Sequence, residues 1–205
     1  ATKEDLRALV ALAVKYDFWI LADETYSYLS YAMPHTSLLE FWNQSDRLIT
    51  VRSFSKEYAM TGWRVGYVVA HEETIKIFAK VHDSLVGCVA KISQRAAIAA
   101  LTGPKDFVSQ NHNAYARRRQ MTMDAIAGID QLSLPTVAGA YYAFVRYQGD
   151  RSSVEVCENL LVHARVAVVP GSFFGDGGEG HFRISFAVDD AVLADGLKRL
   201  QQFFS

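Results

Sequence analysis

Cysteine is scarce in this chain. Cys88 and Cys157 are the only two among 205 residues, they stand far apart, and neither falls in a Cys-x-x-Cys spacing. Neither a disulfide framework nor a cysteine-ligated zinc site is therefore expected, and a reducing, cytoplasmic setting is. No apolar run reaches the length that spans a bilayer, and no signal or transit segment is visible, so no membrane partner is expected. Net charge is nearly absent as well: Lys+Arg number 21 against Asp+Glu 22, a balance of −1. No chain-wide attraction to nucleic acid or to anionic lipid follows from such a balance, and small-molecule chemistry is the expected trade. The histidines, at positions 35, 71, 82, 112, 163 and 181, form no His-Glu-x-x-His pair, so no metal site is expected. There is no Gly-x-Ser-x-Gly nucleophile elbow.

What the chain does have is apolar bulk. Half of its residues are hydrophobic and 12% are aromatic, enough to build one large or two small cores. Leu6, Leu9, Val10, Ala13 and Val14 repeat with helical spacing behind Thr2 and Asp5, a capping-box pattern. Phe18 to Ala22 is a short apolar run ended by Asp23-Glu24, which reads as a parallel strand buried on both faces. Strands are expected at 47–53 and 63–70 and helices at 72–85 and 90–101, an α/β alternation.

Beyond Gly103-Pro104, residues 107–126 read as a long solvated helix. Its Arg117-Arg118-Arg119 run points to different faces and makes no nucleic-acid patch. A strand (140–146), a helix (154–164), strands at 166–169 and 182–187, and a final helix opening at Asp189-Asp190 follow. Leu193, Leu197, Leu200 and Phe204 share one face of that last helix. Gly175 to Gly180 contains two acids and lacks a following Lys-Ser/Thr, so it makes a poor phosphate loop and reads as a flexible connection. The expected division is a first domain at 1–104, a long connecting helix at 105–127 and a small domain at 128–205.

Chemistry-bearing residues concentrate in Ser53-Phe-Ser-Lys-Glu-Tyr-Ala-Met-Thr-Gly-Trp-Arg-Val-Gly-Tyr67. A lysine that must form a Schiff base has to be neutral, and a desolvated pocket near other cations favours that form. Serine and arginine beside it suit a phosphate. On residue types alone, a plain loop between strands remains an equal reading. Asp23-Glu24-Thr25-Tyr26 lies at the C-terminal end of an expected parallel strand, where open α/β sheets place ligands. A buried carboxylate there would need a partner, such as a protonated ring nitrogen; a turn closing the strand is the alternative. Arg183, in Phe-Arg-Ile-Ser-Phe-Ala187, suits a carboxylate through its planar fork, although an arginine on a strand is more often a surface charge.

Taken in order, these motifs resemble the class I/II (fold type I) pyridoxal-phosphate-dependent aminotransferases. The serine three before the lysine and the arginine eight after it, within Gly-Trp-Arg-Val-Gly, carry the likeness, as do Asp23 to Tyr26 upstream and Val168-Val-Pro-Gly-Ser-Phe-Phe-Gly175 before Arg183. Gly139-Ala-Tyr-Tyr142 is a looser match, with Ala138 where the family often has a glycine. The resemblance implies a large domain with a mostly parallel sheet and helices on both faces, joined to an α+β C-terminal small domain. It implies that Lys56 forms the internal aldimine and shuttles the substrate proton. Asp23 would pair with the pyridinium nitrogen of pyridoxal 5'-phosphate, and Tyr26 with its phenolic oxygen. Ser53 and Arg64 would hold the phosphate, with Ser55 a weaker candidate, and Arg183 would grip the substrate α-carboxylate.

The activity so implied moves an amino group between an α-amino acid and a 2-oxo acid in a homodimer. A carbon–sulfur lyase or synthase on the same scaffold, or a ligand-sensing domain of a transcription regulator, are the alternatives. Such enzymes are roughly twice this length, so the chain is expected to be their C-terminal portion. The remaining cofactor and partner-subunit contacts would then lie outside it.

Overall fold

The computed structural model describes residues 1–205, which divide into two compact units, Ala1–Ser109 and Gln110–Ser205. In the first, α1 (Lys3–Tyr16) starts as its cap dictates: the Thr2 hydroxyl accepts from the Asp5 N–H at 3.1 Å, and the Asp5 carboxylate accepts from the Thr2 N–H at 2.8 Å. Val10 and Ala13 are fully buried and join Ile20, Leu38, Phe41 and Leu48 in one core cluster.

Three strands form the sheet beside that cluster: β1 (Ile20–Asp23), β2 (Leu48–Ser53) and β3 (Gly66–Ala70), in that spatial order. β1 and β2 run parallel, with Asp23 opposite Val51; β2 and β3 run antiparallel, with Ser53 opposite Gly66. The close pairing explains the glycine, since a Cβ at position 66 would lie 2.6 Å from the Arg52 carbonyl oxygen. The short α2 (Phe54–Glu57) follows β2, and Phe54 packs with Met60, Val65 and Ala97. Helices α3 (Glu72–Leu85) and α4 (Lys91–Thr102) come after the sheet, within a residue of the sequence expectation.

The expectation for β1 needs correction. Ile20 is buried, but Leu21 is 62% exposed. β1 is an edge strand, and the cluster formed with α1 covers one face of it, so the apolar run is buried on one side in this chain.

The 22-residue α5 (Asp106–Ala127) crosses from the first unit into the second. Four antiparallel strands follow in the order β4 (Leu132–Ser133), β5 (Tyr142–Tyr147), β7 (His181–Ser185), β6 (Val169–Pro170). Alternation sorts their side chains. Ala143, Val145, Tyr147, Phe182 and Ile184 are buried on one face, with Val156, Cys157 and Leu160 of α6 (Ser153–Asn159) and the π turn that extends it, and with Leu193, Leu197 and Leu200 of α7 (Asp190–Phe203). Tyr142, Phe144 and Arg183 fall on the other. Two of the three consecutive arginines meet one acid: Arg117 and Arg118 both pair with Asp190, and Arg119 donates to the Val137 carbonyl.

The glycine-rich segment between β6 and β7 is a packed connection rather than the flexible one expected. Two 3-10 turns occupy it, Gly171–Phe174 and Asp176–Gly178, and the backbones of Gly171 and Gly178 touch. A Cβ on Gly178 would lie 1.9 Å from the Gly171 oxygen, and one on Gly171 2.0 Å from the Gly178 oxygen. Glu179 then fastens the loop: its carboxylate accepts from the Ser153 N–H and hydroxyl and from the Gly180 N–H. Those backbone donors hold its pKa below the usual value. We expect Gly178→Ala to cost roughly 3 kcal/mol, the upper end of overpacking, read as a fall in the thermal midpoint. Gly177→Ala, where a Cβ meets nothing within 4 Å, is the matched control; equal midpoints for the two would refute the packing argument.

Candidate active site

Parallel pairing of β1 and β2 brings their C-terminal ends to the same edge of the first sheet, and five of the sequence-predicted site residues belong to this unit. Asp23 ends β1, and its carboxylate accepts from the Thr25 N–H at 3.0 Å and from the Thr25 hydroxyl. It is exposed in this chain; the buried acid is its neighbour Glu24, 4% exposed. Tyr26 lies in the turn that follows. Ser53 ends β2 and caps α2, accepting from the Ser55 N–H at 3.1 Å. Lys56 is half-buried on α2, with its Nζ 5.9 Å from the centre of the Tyr26 ring.

Arg64 takes a left-handed backbone conformation (φ 50°) just before β3, and its guanidinium donates to the Thr61 carbonyl at 2.9 Å. Ser53, Ser55, Arg64 and Gly66 line one cleft with Val51, Tyr67 and residues of α3. Ser55 is buried at its wall. Asp23, Tyr26 and Lys56 do not line that cleft; by residue chemistry the unit offers what a phosphorylated pyridine needs, with hydroxyls and a guanidinium for the phosphate, a carboxylate for a protonated ring nitrogen, a phenol, and an amine.

Arg183 belongs to the second unit. It sits on β7 opposite Phe144 of β5 and Val169 of β6. Its guanidinium carbon lies 4.3 Å from the Tyr142 ring centre and 4.8 Å from that of Phe174. Cation–π attraction holds the charge between the rings. The Nε is buried and has no hydrogen-bond partner. A buried donor without an acceptor is costly, so this arginine is set to receive an anion. Sequence reasoning found Arg183 but neither flanking ring; Tyr142 is legible only through the pairing of β5 with β7, and Phe174 only through the packed glycine loop.

A second group went unread in the sequence. The Glu24 carboxylate accepts from the Leu38 N–H at 2.8 Å, the Ser37 hydroxyl at 2.9 Å, and Arg52 Nε and Nη2 at 3.1 and 2.7 Å, with His35 Nε2 3.6 Å away. Burial pushes its pKa up, but the Leu38 N–H, Arg52 and Ser37 outweigh it and leave the group below its ordinary 4.5. A depressed folded-state pKa contributes stability above the unfolded value, and that contribution is lost as pH falls through the folded one. The urea midpoint should therefore drop as pH is lowered below about 4.5. Glu24→Gln should lower it at neutral pH and flatten the acid slope; an unchanged slope in that variant would assign the acid sensitivity elsewhere.

No helix is long and apolar enough to cross a membrane. The family model described as aminotransferase class I and II matches residues 1–200. The chain is 36% identical over 211 residues to an aspartate aminotransferase of Rhizobium meliloti, covering 96% of this chain and 51% of that protein. It is 35% identical over 207 residues to aromatic-amino-acid aminotransferase 2 of Thermococcus litoralis, covering 98% and 52%. Among solved structures, the aromatic aminotransferase from Pyrococcus horikoshii superposes with a TM-score of 0.92 at 34% identity, over 99% of this chain and 55% of that one. The chain thus spans about half the length of the curated relatives it matches.

Proposed function

We propose that this chain, which belongs to the class I and II aminotransferase family, is the part of a pyridoxal-phosphate enzyme that carries its reactive lysine and its substrate-carboxylate arginine, and that the full-length protein moves an amino group between an α-amino acid and a 2-oxo acid. The observation that carries this reading is the gathering of Asp23, Tyr26, Ser53, Lys56 and Arg64 in one unit, on elements that follow from the parallel β1–β2 pair.

When bound, pyridoxal 5'-phosphate supplies an aldehyde that takes up the substrate nitrogen and a ring that withdraws electrons from the carbon beside it. The chain's own residues do the rest. Asp23 would hold a proton on the ring nitrogen by its negative charge, and Tyr26 would donate to the ring oxygen. Ser53 and Arg64 would hold the phosphate, Arg64 with a planar fork, with Ser55 of the same cleft a weaker candidate. Lys56 Nζ takes a proton from the substrate carbon and returns it elsewhere, the role of a positioned general base and acid. Arg183 binds the α-carboxylate, which supplies the acceptor its buried Nε lacks.

A homodimer working in the cytoplasm belongs to the same proposal. Ile77, Val81 and Leu85 of α3, exposed by half or more, are apolar surface that a subunit interface would cover. The test is to incubate the full-length protein with pyridoxal phosphate and a panel of amino acids and 2-oxo acids. Conversion of one pair into the other is expected. Release of pyruvate and ammonia from a cysteine conjugate would replace the reading with a lyase, and no conversion of any kind would end it.

A further inference from the structure

Glu24 and Arg52 stand next in sequence to two of the proposed cofactor residues, Glu24 after Asp23 and Arg52 before Ser53. Side chains alternate along a strand, so this ion pair is set on the sheet face opposite Asp23 and Ser53, with Arg52 also at the border of the cleft that Ser53 and Arg64 line. The parallel ladder is finishing here: the Glu24 N–H donates to the Val51 carbonyl at 2.9 Å, and the two chains then part, one into the turn at Thr25–Tyr28 and the other into α2.

We propose that the Glu24–Arg52 pair is a positioning device for the cofactor site, holding the ends of β1 and β2 at the separation that lets Asp23 and Ser53 engage one ligand. The inference rests on the reading of those two residues as cofactor contacts. Each oxygen of the Glu24 carboxylate has its own donors. Oε1 accepts from the Leu38 N–H, while Oε2 accepts from Arg52 Nε and Nη2. The Ser37 hydroxyl bridges the pair, 2.9 Å from both carboxylate oxygens and 3.2 Å from Arg52 Nη2. The carboxylate can therefore adopt one orientation only, and three chain segments meet on it. An apolar pair of equal volume would fill the same space as stably; what the charged pair adds is a fixed direction and spacing, which a binding site needs from the residues behind it.

The experiment measures pyridoxal-phosphate dissociation constants for the full-length protein well below its unfolding midpoint, where stability as such does not enter. Glu24→Gln is expected to weaken binding about ten-fold or more, as loss of a ligand-orienting partner does at metal sites. Arg52→Lys, which keeps the charge and loses the fork, should fall between, and it decides the matter if Glu24→Gln does not fold. Leu197→Ala, a core truncation in the second unit, should lower the thermal midpoint and leave the dissociation constant alone. Variants of the pair that bind within two-fold of wild type overturn the inference and leave the cofactor reading standing. A wild-type protein that takes up no cofactor overturns that reading, and the inference with it.

Discussion

Lys56→Ala is expected to leave a folded protein that develops no visible absorbance band with pyridoxal phosphate and transfers amino groups about 10⁴-fold more slowly, the upper end of what a positioned general acid and base contributes. The fold should survive because Lys56 lies near the end of a single-turn helix, half-buried and outside both core clusters of its unit, and alanine is the better helix former. The chemistry should not survive, because in the proposed mechanism the amine at that place would both capture the cofactor and move the proton. Lys56→Arg is the sharper control: it keeps the charge beside Tyr26, yet guanidinium stays protonated and attacks nothing. Loss of the band in both variants assigns the amine. A band that persists in Lys56→Ala would place the reactive lysine elsewhere and remove the central residue of the mechanism.

Arg183→Lys should show the opposite division of effects, with the band intact and kcat/KM for amino acids down about 30- to 5,000-fold. That range corresponds to the roughly 2–5 kcal/mol lost when one member of a buried, hydrogen-bonded charge pair is truncated. Lysine keeps the charge but cannot present two parallel donors, nor offer a planar group to the Tyr142 and Phe174 rings that the guanidinium carbon approaches to 4.3 and 4.8 Å. The discriminating measurement uses a simple amine beside the amino acid that has the same side chain. Wild type should prefer the amino acid strongly and Arg183→Lys only weakly. An equal fall for both substrates would mean that the arginine supports the sheet and not the carboxylate.

How far the sequence could be read depended on the range of the forces involved. The α1 capping box, the α7 cap at Asp189 with its Leu193–Leu197–Leu200 stripe, and the limits of α3 are matters of neighbouring residues, and all were legible to within a residue or so. So was the grouping of Ser53, Lys56 and Arg64, because twelve consecutive residues carry them through one strand end, one helix turn and the turn just before the next strand. The burial of β1 was misjudged: how many faces of a strand are covered is decided by what packs on it, and Phe18 to Ala22 reads alike in either case. The Gly175–Gly180 segment was misjudged for a similar reason. Its order comes from the Gly171–Gly178 contact and from Glu179 reaching Ser153, both invisible in a local window.

By itself the sequence determined the main helices and strands, the α/β class and the choice of candidate reactive groups, since caps, hydrophobic periods and motif spacing act over a few residues; the 3-10 helix at Leu38–Gln44 and the short β4 were not read. Only the tertiary structure decided that Glu24 is the buried acid and Asp23 the open one. It also decided that Arg52 is the cation answering Glu24 and that Arg183 lies between two rings with an unanswered donor. Those outcomes depend on strand register and loop packing, where a shift of one residue exchanges the faces of a sheet and no local preference opposes it.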